Sequence, residues 1–236
     1  MKLSEEMKNK TLLSFELFPP KTEKGLQNLP GTIDHLMKYN PSYISCTYGA
    51  GGGNVGANRE VCQMIKNAGT TPVTHFTVIK NTKEGIKEQL DQYLADGVDH
   101  MLALRGDIPL GETTTCGDFD YATDLVKFVR DTYGDKFEIA VAGSPEGHIS
   151  CRSLESDIAV LKQKQDNGAD YIMTQLCWDM EQFKYWLDAI RKAGITMPVD
   201  VGVMPILDQA ATINMALSRN GCVMDRELSR MISRHW

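Results

Sequence analysis

Residues 100–107 read His-Met-Leu-Ala-Leu-Arg-Gly-Asp, a short apolar run that ends in two charged residues around a glycine. The apolar residues are consecutive rather than alternating, which is typical of a parallel strand covered on both faces. Similar runs predict six further strands, at about Leu12–Leu17, Tyr43–Tyr48, Val73–Val78, Phe137–Ala142, Tyr171–Leu176 and Val199–Val203.

The segments between these runs predict helices. Lys83–Ala95 follows Thr82 as a candidate N-cap, and Ser153–Asn167 and Glu181–Lys192 have apolar residues at helical spacing. Strands that alternate with helices predict a parallel α/β sheet, either doubly wound and open or closed as a (β/α)8 barrel. The near-regular spacing favours the barrel, which usually takes about 250 residues.

The C-terminal part departs from the barrel pattern. Pro205–Trp236 predicts two helices, the second with Asp225 as a candidate N-cap, and Gly221–Met224 is too short for an eighth strand. We therefore expect one (β/α)8 TIM-type barrel domain over residues 1–236, incomplete at its C-terminus through truncation or through completion by a partner. Unpaired edges at the first and seventh strands favour association, so we expect a homo-oligomer or a partner subunit.

Composition indicates an ordinary globular protein, with 42% hydrophobic and 24% charged residues. The net charge of −6 argues against nucleic acid or an anionic membrane as the partner. The cysteines are scattered without a CxxC pair, which predicts a reducing compartment and no metal site. A polar N-terminus and the lack of a long apolar run predict a cytoplasmic protein without a secretory signal or a membrane span.

Polar residues collect where the predicted strands end, which is the active-site face of a barrel. Glu16 lies among apolar neighbours, and burial would favour its protonated form and suit it to proton donation; an ion pair or a helix cap is the alternative. Asp107 follows Gly106, which allows close approach of the main chain to a ligand or forms an ordinary turn. Gln175, within an apolar strand, needs partners in the core or on a ligand.

Three other features have alternative interpretations. His75 is a candidate metal ligand or general base, but a core histidine is favoured because no second ligand stands at metal spacing. Lys80 is a candidate Schiff-base lysine, although a solvated loop lysine is favoured. Gly51, Gly53 and Gly56 form a GxGxxG pattern, but the next predicted strand lacks the acidic residue of the dinucleotide fingerprint.

In chain order, the segments at the strand ends resemble those of the flavin-dependent methylenetetrahydrofolate reductases. These segments are Ser14-Phe-Glu-Leu-Phe-Pro-Pro-Lys, Ser45-Cys-Thr-Tyr-Gly-Ala, Ala103-Leu-Arg-Gly-Asp, Tyr121-Ala-Thr-Asp-Leu, Ala142-Gly-Ser-Pro-Glu-Gly-His and Ile172-Met-Thr-Gln. The resemblance implies a barrel that reduces 5,10-methylenetetrahydrofolate to 5-methyltetrahydrofolate. It also implies FAD as cofactor, NADH or NADPH as hydride donor, and a folate and a nicotinamide nucleotide as small-molecule partners.

The same resemblance assigns roles by position. Glu16 would be the general acid that helps to open the methylene bridge of the folate. Asp107 would stabilise the cationic folate and influence the flavin, and Gln175 would contact folate and nicotinamide in turn. The positions that would contact the flavin are Thr47, Tyr48, Ala50, His75, Arg105, Gly106, Asp107, Ala122, Ser144, His148, Asp157 and Lys164.

Several positions differ from the family pattern. Ser144 stands where some relatives have a tyrosine beside the flavin, and Val160 and Gln163 replace polar or basic flavin contacts. The eighth strand and a substrate-binding arginine after it have no counterpart. These differences motivate an alternative, a non-catalytic or partner-dependent barrel subunit of a methyl-transfer or electron-transfer complex. A further alternative is a flavin-free barrel lyase that uses Lys80 and Glu16.

Overall fold

The computed structural model describes residues 2–20, 22–48, 55–108, 111–217, 224 and 226–235. Within these residues the strands are β1 (Ser14–Leu17), β2 (Tyr43–Cys46), β3 (Thr71–Thr77), β4 (His100–Leu104), β5 (Glu138–Gly143), β6 (Tyr171–Thr174) and β7 (Val199–Asp200). The helices are α1 (Leu3–Met7), α2 (Glu23–Met37), α3 (Val55–Asn67), α4 (Lys83–Ala95), α5 (Ala122–Tyr133), α6 (Leu154–Asp166), α7 (Met180–Lys192), α8 (Gln209–Leu217) and α9 (Arg226–His235).

The strands follow chain order from β1 to β7 in one sheet. The pairs β1–β2, β2–β3, β3–β4, β4–β5 and β6–β7 are parallel. A doubly wound sheet reverses its strand order at a switch point, so the uninterrupted order favours the barrel class over the open alternative. The predicted fold class, a TIM-type (β/α)8 barrel in which seven strands are present, is confirmed. The described residues contain no eighth strand; residues 221–223 and Asp225 lie outside them.

Predicted and observed bounds agree well for most strands. Strand β4 and helix α4 have the predicted limits, and the Thr82 hydroxyl caps α4 by accepting from the Gly85 N–H at 3.1 Å. The clearest difference is at β7, which was expected to continue to Val203. Pairing stops earlier because the Gly202 N–H donates to Oγ1 of Thr174, at 2.9 Å, instead of to a main-chain carbonyl.

The chain divides into two compact units, which are described separately. The first unit contains Met1–Val141 and Asn167–Asp170, and the second contains Ala142–Asp166 and Tyr171–Trp236. In the first unit β2 is buried at every residue, and β3 at every residue after the first. Such continuous burial is what parallel strands covered on both faces require.

An ionic cluster around the buried Glu138 lies at the amino ends of β4 and β5. Glu138, the first residue of β5, accepts the N–H groups of Leu3 at 2.7 Å and Ser4 at 2.8 Å, and thereby holds the first turn of α1. His100 lies between two carboxylates, with Nε2 3.0 Å from Glu138 as an ionic contact and Nδ1 2.7 Å from Asp99.

His100 and Glu138 both remain charged, although burial disfavours the charged form of each. Burial alone would lower the pKa of His100, but the carboxylates of Asp99 and Glu138 raise it to about 9. Burial would raise the pKa of Glu138, but His100 and the main chain of Ser4 and Leu3 lower it to about 2. The imidazolium and the carboxylate therefore coexist at neutral pH.

In the second unit, β6 and β7 pair with Ile172 opposite Val199. Gly143 at the end of β5 is required by packing, because a Cβ there would lie 2.6 Å from Ile172 and 3.0 Å from Trp186. On α9, Ile232 is buried but Met231 is 52% exposed. None of the helices in the described residues has both the length and the apolar character needed to cross a membrane.

Candidate active site

Glu16, the third residue of β1, places its carboxylate beside an imidazole of β3. Its Oε2 lies 3.4 Å from Nε2 of His75. The register explains the contact: Glu16 is opposite Ser45 of β2, which is opposite Val73 of β3, two residues before His75. The Glu16 side chain is 46% exposed. The protein alone therefore does not enclose this carboxylate as its apolar neighbours suggested, and a substrate could reach it.

His75 is buried and neutral. Burial lowers the pKa of His75 to about 4, and the nearby carboxylate does not compensate, so the contact with Glu16 is polar rather than ionic at neutral pH. Nε2 of His75 and Oγ1 of Thr77 have no hydrogen-bond partner among the described residues. Residues i and i+2 of a strand point to the same face, so β3 presents two unsatisfied polar atoms on one side. The predicted core histidine is buried but unsatisfied.

The Arg105-Gly106-Asp107 turn follows β4. Gly106 has a φ of +86°, and a Cβ there would lie 2.9 Å from Cγ2 of Ile79 and 3.1 Å from Cβ of Thr77. The glycine is therefore required by a left-handed turn and by packing against the chain that leaves β3. Arg105 Nε donates to the carbonyl of Gly106 at 3.2 Å. Asp107 is exposed and makes no hydrogen bond or ion pair with another described residue.

The end of β2 and the start of α5 supply the other positions in the first unit. Thr47, directly after β2, donates its N–H to the main chain of β1 at 2.9 Å. Tyr48 is 1% exposed, and its hydroxyl donates to Oε1 of Gln89 at 2.5 Å, so it offers little surface to a ligand. Ala122 is the half-buried first residue of α5. Ala50 lies outside the described residues.

Asn58 of α3 is a buried positioning group that the sequence interpretation missed. Its Nδ2 donates to the carbonyls of Cys46 at 3.0 Å and Thr47 at 3.1 Å. Its Oδ1 accepts from Thr74 at 2.8 Å and from Tyr93 at 2.7 Å. A signal was present, because this amide lies on the apolar stripe of α3 at helical spacing, where a polar residue needs buried partners.

In the second unit, Ser144 and His148 lie in the loop after β5. The Ser144 carbonyl accepts the Gly147 N–H at 2.9 Å and closes a turn. His148 is exposed, and its N–H donates to the Asp157 carboxylate at 3.2 Å. Asp157, in the first turn of α6, therefore holds the loop that carries His148.

Lys164 and Gln175 are also engaged within the second unit. Lys164 Nζ donates to the carbonyl of Ala142 at 3.0 Å. Burial lowers the pKa of Lys164, and the charge of Asp157 opposes this shift. Gln175 follows β6 directly, and its Oε1 accepts the N–H of Leu176 at 2.9 Å. The side-chain amide of Gln175, which was expected to need a partner, thus has one in the N–H of the next residue.

The remaining features singled out in the sequence lie on the surface or outside the described residues. Lys80 is exposed, as a loop lysine should be, and its φ is +57°. Val160 and Gln163 are exposed on α6. Gly51 and Gly53 of the GxGxxG pattern are not among the described residues. Within those residues, no group of three or more His, Cys, Asp or Glu side chains is arranged to hold a metal ion.

Comparison with known proteins gives one consistent family. The family model described as "Methylenetetrahydrofolate reductase" matches residues 2–228. The chain is 38% identical over 219 residues to "Methylenetetrahydrofolate reductase (NADH) 1" of Arabidopsis thaliana, covering 87% of this chain and 37% of that protein. It is 34% identical over 202 residues to "5,10-methylenetetrahydrofolate reductase" of Escherichia coli (strain K12), covering 85% of this chain and 67% of that protein.

Solved structures share the fold at low sequence identity. A protein from Clostridium thermocellum, described as binding two copies of 5-methyl-5,6,7,8-tetrahydrofolic acid, aligns with a TM-score of 0.69 and 14% identity, over 99% of this chain and 80% of that chain. A 2,3-dimethylmalate lyase aligns with a TM-score of 0.57 and 12% identity, over 98% of this chain and 91% of that chain. At such identities the likeness concerns the fold alone.

Proposed function

The chain belongs to the methylenetetrahydrofolate reductase family, and we propose that it reduces 5,10-methylenetetrahydrofolate to 5-methyltetrahydrofolate, with FAD as cofactor and NADH or NADPH as hydride donor. The chain spans about a third of the length of its plant relatives, so the activity of those whole proteins enters only as support. The names of the plant relatives, which specify NADH, support a nicotinamide donor.

The contact between Glu16 and His75 carries this proposal. A half-exposed carboxylate at the end of β1 lies 3.4 Å from a buried, neutral imidazole. Because the imidazole is neutral, it does not form an ion pair with Glu16, and a substrate could reach the half-exposed carboxyl group. Glu16 would then donate its proton to a ring nitrogen of the folate and help to open the methylene bridge.

One feature of the first unit fits a bound flavin, namely two buried polar atoms that have no partner in the described part of the chain. Nε2 of His75 and Oγ1 of Thr77 are buried polar atoms without partners in the described residues, and such atoms cost about 1–3 kcal/mol unless something engages them. A polar ring edge is a suitable partner for His75. When bound, the flavin supplies hydride transfer between nicotinamide and folate, chemistry that amino-acid side chains do not provide.

Two further residues have proposed roles toward the substrates. Asp107 is exposed and makes no hydrogen bond or ion pair with another described residue, so its negative charge is available to stabilise positive charge on the folate. Gln175, at the end of β6, would bind folate and nicotinamide in turn through its amide. Lys164 and Arg105 would balance the negative charge of a diphosphate.

Anaerobic absorption spectroscopy of the purified chain tests the proposal. We expect oxidised flavin bands, either as purified or after addition of FAD, that bleach with NADH and return when 5,10-methylenetetrahydrofolate is added. A chain that shows no flavin bands after incubation with FAD and removal of the unbound FAD contradicts the proposal. Bleaching without reoxidation by the folate, restored by a copurifying protein, would instead support a partner-dependent subunit.

A further inference from the structure

Three side chains of the first unit form a relay of hydrogen bonds that the proposed chemistry does not use. The hydroxyl of the buried Tyr48 donates to Oε1 of Gln89 at 2.5 Å. Nε2 of Gln89 donates to Oδ1 of Asn81 at 3.1 Å. Nδ2 of Asn81 donates to the carbonyls of Thr77 at 3.1 Å and Ile79 at 3.2 Å. Each amide both accepts and donates, so the relay fixes the orientation of both.

The main chain held by Asn81 is the surface on which the turn after β4 rests. The N–H of Ile79 donates to the carbonyl of Arg105 at 3.2 Å. Gly106 packs so closely on Ile79 and Thr77 that a Cβ would lie 2.9 Å and 3.1 Å from their side chains. Asp107 is the next residue, and its own side chain has no partner among the described residues. Its position is therefore set by the main chain beneath it.

The segment between Thr77 and Asn81 needs this support because it contains a strained residue. Lys80 has a φ of +57°, a conformation that non-glycine residues adopt only where surrounding bonds enforce it. The Lys80 N–H donates to the carbonyl of Thr115 at 2.8 Å, and the Asn81 N–H donates to the carbonyl of Val78 at 3.1 Å. Together with the hydrogen bonds of the Asn81 side chain, these bonds fix the main chain between Thr77 and Asn81.

We propose that Asn81 and Gln89 are positioning residues that tie the end of β2, through Tyr48, to the Arg105-Gly106-Asp107 turn and so fix the Asp107 carboxylate. This deepens the proposed function, since the consequence for catalysis depends on the role of Asp107 there. The mechanical part of the proposal, that the side chain of Asn81 holds the turn, depends only on the flavin-free chain.

Hydrogen exchange on the flavin-free full chain tests the mechanical part. Asn81→Asp keeps the shape of the side chain but replaces its donor by an oxygen that faces two carbonyls. We expect the Ile79 amide and the peptide of residues 104–107 to exchange roughly tenfold faster, as for the loss of about one hydrogen bond. Asn167→Asp is the matched control, because Asn167 Nδ2 donates to the carbonyl of Thr123 at 3.0 Å, away from the turn. Unchanged exchange in Asn81→Asp overturns the proposal.

The midpoint potential of the bound flavin tests the positioning of Asp107. A less well-placed carboxylate should shift the potential in the positive direction in Asn81→Leu and in Gln89→Leu, which add no charge, but not in Asn167→Leu. The shift should vanish when Asp107→Asn is already present, because the relay would act through that carboxylate. An additive shift overturns the positioning role. A wild-type chain that binds no flavin would contradict the proposed function, while the exchange experiment still decides whether the relay holds the turn.

Discussion

The two units differ in how many polar residues they bury. In the first unit, the buried polar residues among those described are Ser4, Ser45, Asn58, Thr74, His75, Thr77, Thr115, Thr123 and Glu138, whereas in the second the one such residue is Thr212. Buried hydrogen bonds are directional and shielded from water, so those of Asn58 fix the main chain at the end of β2 before any ligand binds, whereas Nε2 of His75 and Oγ1 of Thr77 are unsatisfied in the described residues.

The candidate residues of the second unit are held differently. Lys164, Asp157 and Gln175 each bond to nearby main chain, and all three are partly exposed. Such bonds compete with water and exchange readily for bonds to a ligand. We therefore expect the candidate residues of the first unit to be held more rigidly than those of the second.

The largest effect expected from this comparison is on Glu16. Glu16→Gln should slow reoxidation of the reduced enzyme by the folate about 10²–10⁴-fold, the usual contribution of a general acid, while flavin reduction by NADH is unchanged. Gln175→Ala, in the second unit, should weaken both half-reactions to a similar extent because both substrates would share that amide. Anaerobic stopped-flow measurement of each half-reaction separates the two patterns. Equal loss of both half-reactions in Glu16→Gln would refute its role as a folate-specific acid.

The next largest effect is on the free energy of unfolding and concerns the ion pair of Glu138 and His100 in the first unit. Glu138→Gln leaves Asp99 as the one carboxylate of the described residues beside His100 and turns an amide N–H₂ toward the N–H of Leu3 or Ser4, so we expect a loss of about 3 kcal/mol in the free energy of unfolding. Lys164→Met in the second unit removes one hydrogen bond, to the carbonyl of Ala142, and should cost about 1 kcal/mol. Urea unfolding of the flavin-free proteins gives both values. Equal losses in the two variants would remove the distinction between the units.

The same cluster predicts a pH dependence with a definite sign. The raised pKa of His100, about 9 against an ordinary 6.5, gives stability that is complete below pH 6.5 and disappears as the pH rises through 9. The lowered pKa of Glu138, about 2 against an ordinary 4.5, gives stability that is present above pH 4.5 and disappears as the pH falls through 2. The difference between wild type and Glu138→Gln should therefore be largest between pH 4.5 and 6.5. A difference that grows above pH 9 would contradict this account.

The smallest effect compares two glycines with nearly the same backbone conformation. Gly106 in the first unit has a φ of +86° and no space for a Cβ, whereas Gly147 in the second has a φ of +85° and nothing within 4 Å of that position. Both alanine variants bear the cost of a left-handed residue, but Gly106→Ala also overlaps Ile79 and Thr77. We expect Gly106→Ala to be less stable than Gly147→Ala by about 1–3 kcal/mol in urea unfolding. Equal stability would mean that the turn after β4 is not tightly packed.

The location of a candidate residue in the fold was predictable where its position along a strand decides that location. Glu16, His75 and Asp107 follow from the strand pattern, because side chains at the carboxyl ends of parallel strands share one face of the fold. The reason given for Gly106 was incomplete, since the glycine serves a left-handed turn packed on β3. The partners of Tyr48 and Gln175 could not be predicted either, because they depend on the orientation of side chains brought together by the fold.

The sequence by itself determined the alternation of strands and helices, the barrel class and the family, because apolar runs and strand-end motifs are local properties of the chain. Only the tertiary structure decided that His75 is neutral beside Glu16 and that Asn81 supports the turn before Asp107. Hydrogen bonds and desolvation depend on atoms that lie far apart in sequence and within a few ångströms in space. A pattern along the chain does not specify such distances, whereas packing does.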